Sequence, residues 1–382
     1  MSRLGGVGIF EWVVTRKVWM ASSVSVRFAE GSAPRHTGYS RILKDGGVQQ
    51  ASCDLLAIMR FSIFVTMLAF AVGPLQAQVE FKTSSDRIDV SVDGKPFTTL
   101  YYGAETMKPY MYPLRTATGK VVTRGYPMES IDGESKDHPH HRGLWFTHGN
   151  VNGIDFWANE KSQRPVPGEA KTGPEPAEKG LVVVRKVADV KGGKKSGSLR
   201  MFFEWQDLTG KTLLKENRVM TFYSGASDRM MDFDFTLTAA EKVTFNDTKE
   251  GTFAIRLATE LEEKHSGKMR NAEGAIGEKN VWGKRSPWVD YAGTLGGEAV
   301  GIAILDHPTN PRHPTYWHSR SYGLFAANIF GVHDFENDKS KNGALELAQG
   351  QTLRFRYRVI IHPGDSDVAG IADKFKKYSA MK

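Results

Sequence analysis

The chain has 382 residues, 51 Lys and Arg against 43 Asp and Glu, and one cysteine, Cys53. Downstream of Cys53 there is no thiol, which excludes a disulfide framework, a thiolate metal site and a cysteine nucleophile there. Basic residues are interspersed with acidic ones rather than gathered in a stripe, which argues against a nucleic-acid partner.

In chain order, Met59-Arg60 precedes the apolar run Phe61 to Val72 and then Gly73-Pro74-Leu75-Gln76-Ala77. A positive start, a short apolar core and a small residue before a cut describe a secretory signal peptide. The run is well short of the roughly 20 residues that span a bilayer, and nothing after Val72 approaches that length. The expected organisation is a mis-assigned, disordered upstream extension at 1–58 and a signal peptide at 59–77. One β-sandwich domain at 78–382 follows, placing the mature chain in the periplasm or outside the cell.

From Val79 onward, apolar residues alternate or fall in short runs between turn signals, as in strands. Arg87 to Val92 alternates, and Asp93-Gly94 is a hairpin turn into Pro96 to Tyr101. Further strands are expected at Leu181 to Val187, Ser198 to Trp205, Lys215 to Tyr223, Met231 to Leu237, Thr252 to Leu257, Ala299 to Leu305 and Leu353 to Ile361. A helix is expected over Asp367 to Tyr378, capped by Asp365 or Ser366. The Pro-, Gly-, Glu- and Lys-rich stretch at 160–180 reads as a loop inserted in the domain. The fold class is all-β, a large antiparallel sandwich with one C-terminal helix.

Three segments carry candidate chemistry. In Asp137-His-Pro-His-His-Arg-Gly-Leu-Trp-Phe-Thr-His148, four histidines fall within eleven positions. Histidine exchanges protons near neutrality, so His138, His140, His141 and His148 are candidates, with Arg142 and Trp145 beside them to position a ligand. The second segment, Asp306 to Arg320, contains Arg312, His313, Trp317 and His318, and its prolines predict a rigid loop. In the third, Glu250 stands at a turn into a strand that carries Arg256; a carboxylate near histidines is a natural general base. Tyr112, with Tyr101, Tyr102 and Tyr110 around Lys108, offers a polar-aromatic wall or simple sheet packing. No nucleotide-binding glycine loop, Gly-x-Ser-x-Gly elbow or His-Glu-x-x-His helix occurs.

The phrases Asp137-His-Pro-His-His-Arg-Gly143, Lys249-Glu-Gly251, Asn310-Pro-Arg312, Trp317-His318, Tyr322-Gly-Leu-Phe-Ala-Ala-Asn328 and His362-Pro-Gly364 resemble the bacterial PmoA-like family, over about Phe97 to Asp373. That family carries a methane-oxygenase label, but true methane monooxygenase subunits are integral membrane proteins, and the mature part of this chain has no spanning run. In character and size the family is similar to the galactose-mutarotase-like supersandwich, which implies acid–base chemistry by a His and a Glu on a sugar ring. The expected function is therefore a carbohydrate-active hydrolase, lyase or epimerase acting on a small-molecule or oligosaccharide substrate, with no cofactor. His140 or His318 would donate a proton and Glu250 accept one. His138, His141, Arg142, Trp145, His148, Arg256, Arg312, His313, Trp317 and Tyr112 would bind substrate. The alternatives are a non-catalytic glycan-binding module and an enzyme with a divalent metal on His138 and His140.

Overall fold

The computed structural model describes residues 78–160 and 178–382. The expected extension, the expected signal peptide and most of the expected inserted loop lie outside the described residues.

The first strands are β1 (Val79–Thr83), β2 (Arg87–Val92), β3 (Lys95–Tyr101), β4 (Tyr110–Met111), β5 (Leu144–His148), β6 (Ile154–Asp155) and β7 (Glu178–Lys179). Four long antiparallel strands follow: β8 (Leu181–Lys191), β9 (Ser196–Gln206), β10 (Thr212–Tyr223) and β11 (Arg229–Ala239). Next come β12 (Val243–Phe245), β13 (Gly251–Arg256), β14 (Lys268–Asn271), β15 (Trp288–Leu295) and β16 (Glu298–Asp306). The last are β17 (Tyr316–Ser319), β18 (Leu324–Asn328), β19 (Leu345–Leu347) and β20 (Thr352–Pro363). One eight-stranded sheet has the order β1-β2-β3-β4-β5-β13-β18-β17, the other β14-β15-β16-β20-β11-β10-β9-β8. The helices are α1 (Glu278–Val281), α2 (Val332–Phe335) and α3 (Ile371–Ser379). No helix among the described residues is long and apolar enough to cross a membrane.

The fold class is the all-β sandwich that alternation predicts. Asp93 and Gly94, at φ 55° and 72°, make the expected turn between β2 and β3. Two local expectations are corrected. Tyr316–Ser319 is a strand rather than part of a proline-stiffened loop, because it pairs with β18 from Tyr316–Asn328 to Ser319–Phe325. The C-terminal helix starts at Ile371 behind Gly370, whose φ is 62°; Asp365 instead accepts from the amides of Asp367 and Val368 in the preceding turn.

One face of each sheet makes the core. From the first sheet come Leu144, Phe146, Phe253, Ile255, Trp317, Phe325 and Ala327; from the second come Met231, Phe233, Phe235, Phe355, Tyr357 and Val359. Rings clasp across the sandwich: Phe146 stacks on Phe235 at 3.9 Å and Phe253 on Tyr357 at 4.7 Å. Successive side chains point to opposite faces of a sheet. Trp145 and Thr147, Thr252, Ala254 and Arg256, Tyr316 and His318, and Leu324, Ala326 and Asn328 therefore face away from this core. They too are buried, so a second layer covers the outer face of the first sheet.

Removing the Phe235 ring should cost about 3–5 kcal/mol, read as a lower urea midpoint for Phe235→Ala. Val190→Ala, at a position 37% exposed, should stay within about 0.5 kcal/mol of the parent.

Candidate functional site

Strand register lays out the site. Across the outer face of the first sheet, Tyr110 pairs with Trp145, Trp145 with Ala254, Ala254 with Ala326 and Ala326 with His318. With strands spaced about 4.8 Å apart, Trp145 and His318 stand roughly 14 Å apart at the backbone. Only two methyl groups lie between them, so the side chains of the row dip to an alanine floor, a trough that the second layer covers: Ala254 and Ala326 are fully buried and pack in one cluster with Trp145, Trp157 and Leu324. Thr147 and Thr252 pair in the next row, and Arg256 and Leu324 pair in the row on the other side.

The histidine-rich loop lies over the Arg256 end. Gly143 lets it approach: its φ is 54°, and a Cβ there would meet the Met111 carbonyl oxygen at 2.0 Å. Asp137 is the pivot. Its Oδ1 accepts from Arg124 Nη1 and from Arg256 Nη2 at 3.1 Å, and its Oδ2 lies 2.9 Å from His138 Nδ1. Burial pushes this carboxyl up, but the hydrogen bond from His138 and the charges of Arg256 and Arg124 outweigh it and hold the group well below the usual carboxylate range. Arg124 is drawn down to about 10 by burial and by Arg256. Rings continue the layer: Tyr322 stacks on His138 at 5.5 Å, His138 on His141 at 4.7 Å and His141 on Trp145 at 5.3 Å.

Hydrogen bonds set two imidazoles in opposite senses. Arg256 Nη1 lies 3.2 Å from His141 Nδ1. A guanidinium only donates, so the proton of neutral His141 sits on Nε2. His318 Nδ1 donates to the Lys249 carbonyl at 2.9 Å, leaving a lone pair on Nε2. Burial, with the charges of Lys249 and Arg320, lowers His318 to about 3. Burial also takes His140 and His141 well below the usual imidazole value, helped by Lys108 for the first and by His140 for the second. All three are thus neutral at pH 7.

Several buried polar atoms of this layer make no hydrogen bond among the described residues: His140 Nδ1, His141 Nε2, His318 Nε2, Trp145 Nε1, Trp157 Nε1, Thr147 Oγ1 and Thr252 Oγ1. Buried polar groups are ordinarily paired, which makes these seven atoms candidates to meet a hydrogen-bonding ligand; others of the same kind lie elsewhere among the described residues, at Thr98 Oγ1, Arg218 Nη2 and Ser366 Oγ. Lys108 is fully buried here, donating to the Trp157 carbonyl and to Asn159 Oδ1, with its Nζ 5.8 Å from the centre of the Trp145 ring. Burial lowers it to about 7, against the pull of Glu160 and Asp155.

The structure brings His138, His140, His141, Trp145 and Arg256 into one cluster, with His318 across the trough. Tyr112 belongs to the small apolar cluster around Trp145; burial and then Glu129 push its phenol up. Arg142 is clamped by Glu160 at 2.7 and 2.9 Å. Glu250 follows the carbonyl that holds His318; its side chain is 37% exposed and its Oε1 lies 3.4 Å from Lys249 Nζ.

Four expected binding residues are held elsewhere. Trp317 faces the sandwich core, its Nε1 donating to the Ser286 carbonyl. His148 faces the interior between Phe245 and Phe330, with Nε2 on the Asn246 carbonyl at 2.8 Å. Arg312 pins the carbonyls of Ile329, Gly343 and Ala344. His313 bonds Asp306 at 2.7 Å and stacks on Phe375 of α3. No group of three or more His, Cys, Asp or Glu among the described residues could hold a metal ion; the rings of His138 and His140 are 5.7 Å apart.

Arg124 and Trp157 carried no signal in the sequence, Thr147, Thr252 and Tyr322 stood there only inside longer segments, and Lys108 only as a neighbour of tyrosines. The available signal was period two: Thr147 shares a face with Trp145, and Thr252 with Arg256.

A family model described as a family of unknown function, DUF6807, matches residues 87–376, and the chain belongs to that family. This corrects the expected membership of the PmoA-like family, which is a different one. No curated protein matches the chain. Among solved structures, a β-arabinopyranosidase is similar at 13% identity and TM-score 0.29, over 76% of this chain and 38% of its own. A GH36 α-galactosidase from Geobacillus stearothermophilus is similar at 9% and 0.36, over 79% and 42%. A Klebsiella pneumoniae protein provisionally described as an aldose 1-epimerase is similar at 9% and 0.36, over 79% and 88%. The chain thus spans about two fifths of the length of the first of these. These are likenesses of fold.

Buried neutral histidines make stability depend on pH. His318 at about 3, His148 at about 4 and the lowered His140 and His141 all titrate below their unfolded value. Their contribution is complete above about pH 6.5 and is lost as pH falls towards the folded values. Each removes about 1.4 kcal/mol per pH unit in that window. Urea unfolding at pH 7, 6 and 5 should show stability falling by more than one such increment per unit; a flat profile would contradict the neutral assignment.

Proposed function

We propose that this DUF6807 member is an exported carbohydrate-active enzyme that holds a sugar in the trough and transfers protons through neutral imidazoles. The observation that carries the reading is the pairing of opposite tautomers on one sheet face: a lone pair at His318 Nε2 and an N–H at His141 Nε2. His318 offers the unprotonated nitrogen that would take a proton, its basicity held down to about 3 by burial, Lys249 and Arg320, and His141 can donate a hydrogen bond to an oxygen on which negative charge develops. In this proposal His318, rather than Glu250, is the acceptor, because its basic nitrogen is buried beside the trough while the Glu250 carboxylate is partly exposed and next to Lys249. The His140 and His141 rings meet edge to face at 4.3 Å, which sets His140 on the same side.

Aromatic rings give a sugar its apolar wall, and the unpartnered atoms of Thr147, Thr252, Trp145 and Trp157 suit its hydroxyl groups. Hydrolysis by a carboxylate pair would need two carboxyl groups flanking one bond. Asp137 is occupied by two arginines. Proton abstraction next to a carbonyl, leading to elimination or epimerisation, therefore ranks above hydrolysis.

A screen of mono- and disaccharides, plain and oxidised at one hydroxyl to the ketone, tests this. His318→Gln should cut turnover of any substrate found by about 10²–10⁴-fold and leave its binding within a few fold. Trp145→Ala should weaken binding itself. Wild-type protein that binds sugars but turns over none of them would instead be a glycan-binding module.

A further inference from the structure

We propose that the trough takes a sugar bearing a carboxylate, and that Lys108 is the residue that receives that carboxylate. The inference rests on the sugar reading above and adds the charge of the ligand.

It follows from how the buried charges are paired. Lys108, Arg124 and Arg256 are each fully buried. Both arginines share Asp137. Glu262 lies 4.0 Å from Arg256, while its other oxygen is held by Lys264 at 2.8 Å. The acids nearest Lys108 are engaged elsewhere: Asp155 with Lys179 at 2.8 Å and Glu160 with Arg142 at 2.7 Å. Among the described residues Lys108 makes no ion pair; its two acceptors are a backbone carbonyl and a side-chain amide.

An ammonium has three N–H donors, so one direction is left over. Lys108 lies over Trp145, at the aromatic end of the trough, and its charge depresses His140, so this amine stands beside the proposed site. A buried charge without a counter-charge is unfavourable, and an arginine could not avoid that cost by losing its proton. A lysine can wait as the amine and take up a proton when an anion arrives. A neutral sugar would give the group nothing to pair with.

The test titrates the full chain at pH 8 with D-galacturonate and D-glucuronate against D-galactose and D-glucose. Calorimetry in two buffers of different ionisation heat reports proton uptake, and tryptophan fluorescence reports binding. The uronates should bind at least about tenfold more tightly than the neutral sugars and draw in about one proton, as expected when an anion pairs with a group titrating near 7. In Lys108→Gln the ratio of uronate to neutral-sugar affinity should fall to about one; if this variant fails to fold, the proton uptake of the wild type still decides. Equal affinities, or tight uronate binding without proton uptake, would overturn the assignment to Lys108 and leave the sugar reading standing. If neither class binds, both readings fall.

Discussion

The carboxylate of Asp137 is the constraint on which the arrangement depends. It draws two arginines into a space from which water is largely excluded, and one of them, Arg256, then donates to His141. Like charges brought this close repel unless an anion lies between them. Asp137 thus lets Arg256 stand on the outer face of β13, and Arg256 in turn sets which nitrogen of His141 carries the proton. A chain of three side chains converts an ion pair into a directed hydrogen-bond donor.

Across the trough the same result is reached with the backbone alone. The Lys249 carbonyl accepts from His318, and burial keeps the ring neutral. In the row between Trp145 and His318 the sheet presents only Ala254 and Ala326, both fully buried. The sandwich core tolerates no such economy: rings at 3.9 and 4.7 Å fill it. The two faces of one sheet therefore serve different ends, close packing within and unmatched polar atoms without.

Strand positions were legible in the sequence because period-two alternation is local. Met231 to Leu237 and Leu353 to Val359 fall in β11 and β20, and the hairpin at Asp93-Gly94 is where turn chemistry puts it. What alternation could not supply was the partner of each strand. Trp317 and His318 are neighbours in the chain and read as one functional pair, yet they point to opposite faces, one into the core and one over the trough. The prolines before them hid the strand that separates them. His148 was drawn into the site by its place in a histidine-rich run, although Phe146 and His148 share the inward face. Lys108 carried no local signal at all, since its burial depends on Trp145, Trp157 and Asn159, which lie far along the chain. The short phrases that suggested one family were likewise insufficient, and the match over residues 87–376 replaced it with another.

The most direct test is long-range nitrogen–proton NMR of the imidazole rings at pH 7, which reads protonation and tautomer for each histidine. The account predicts that His318 is neutral with its proton on Nδ1 and that His141 is neutral with its proton on Nε2. An imidazolium at either position, or the same tautomer at both, would contradict it.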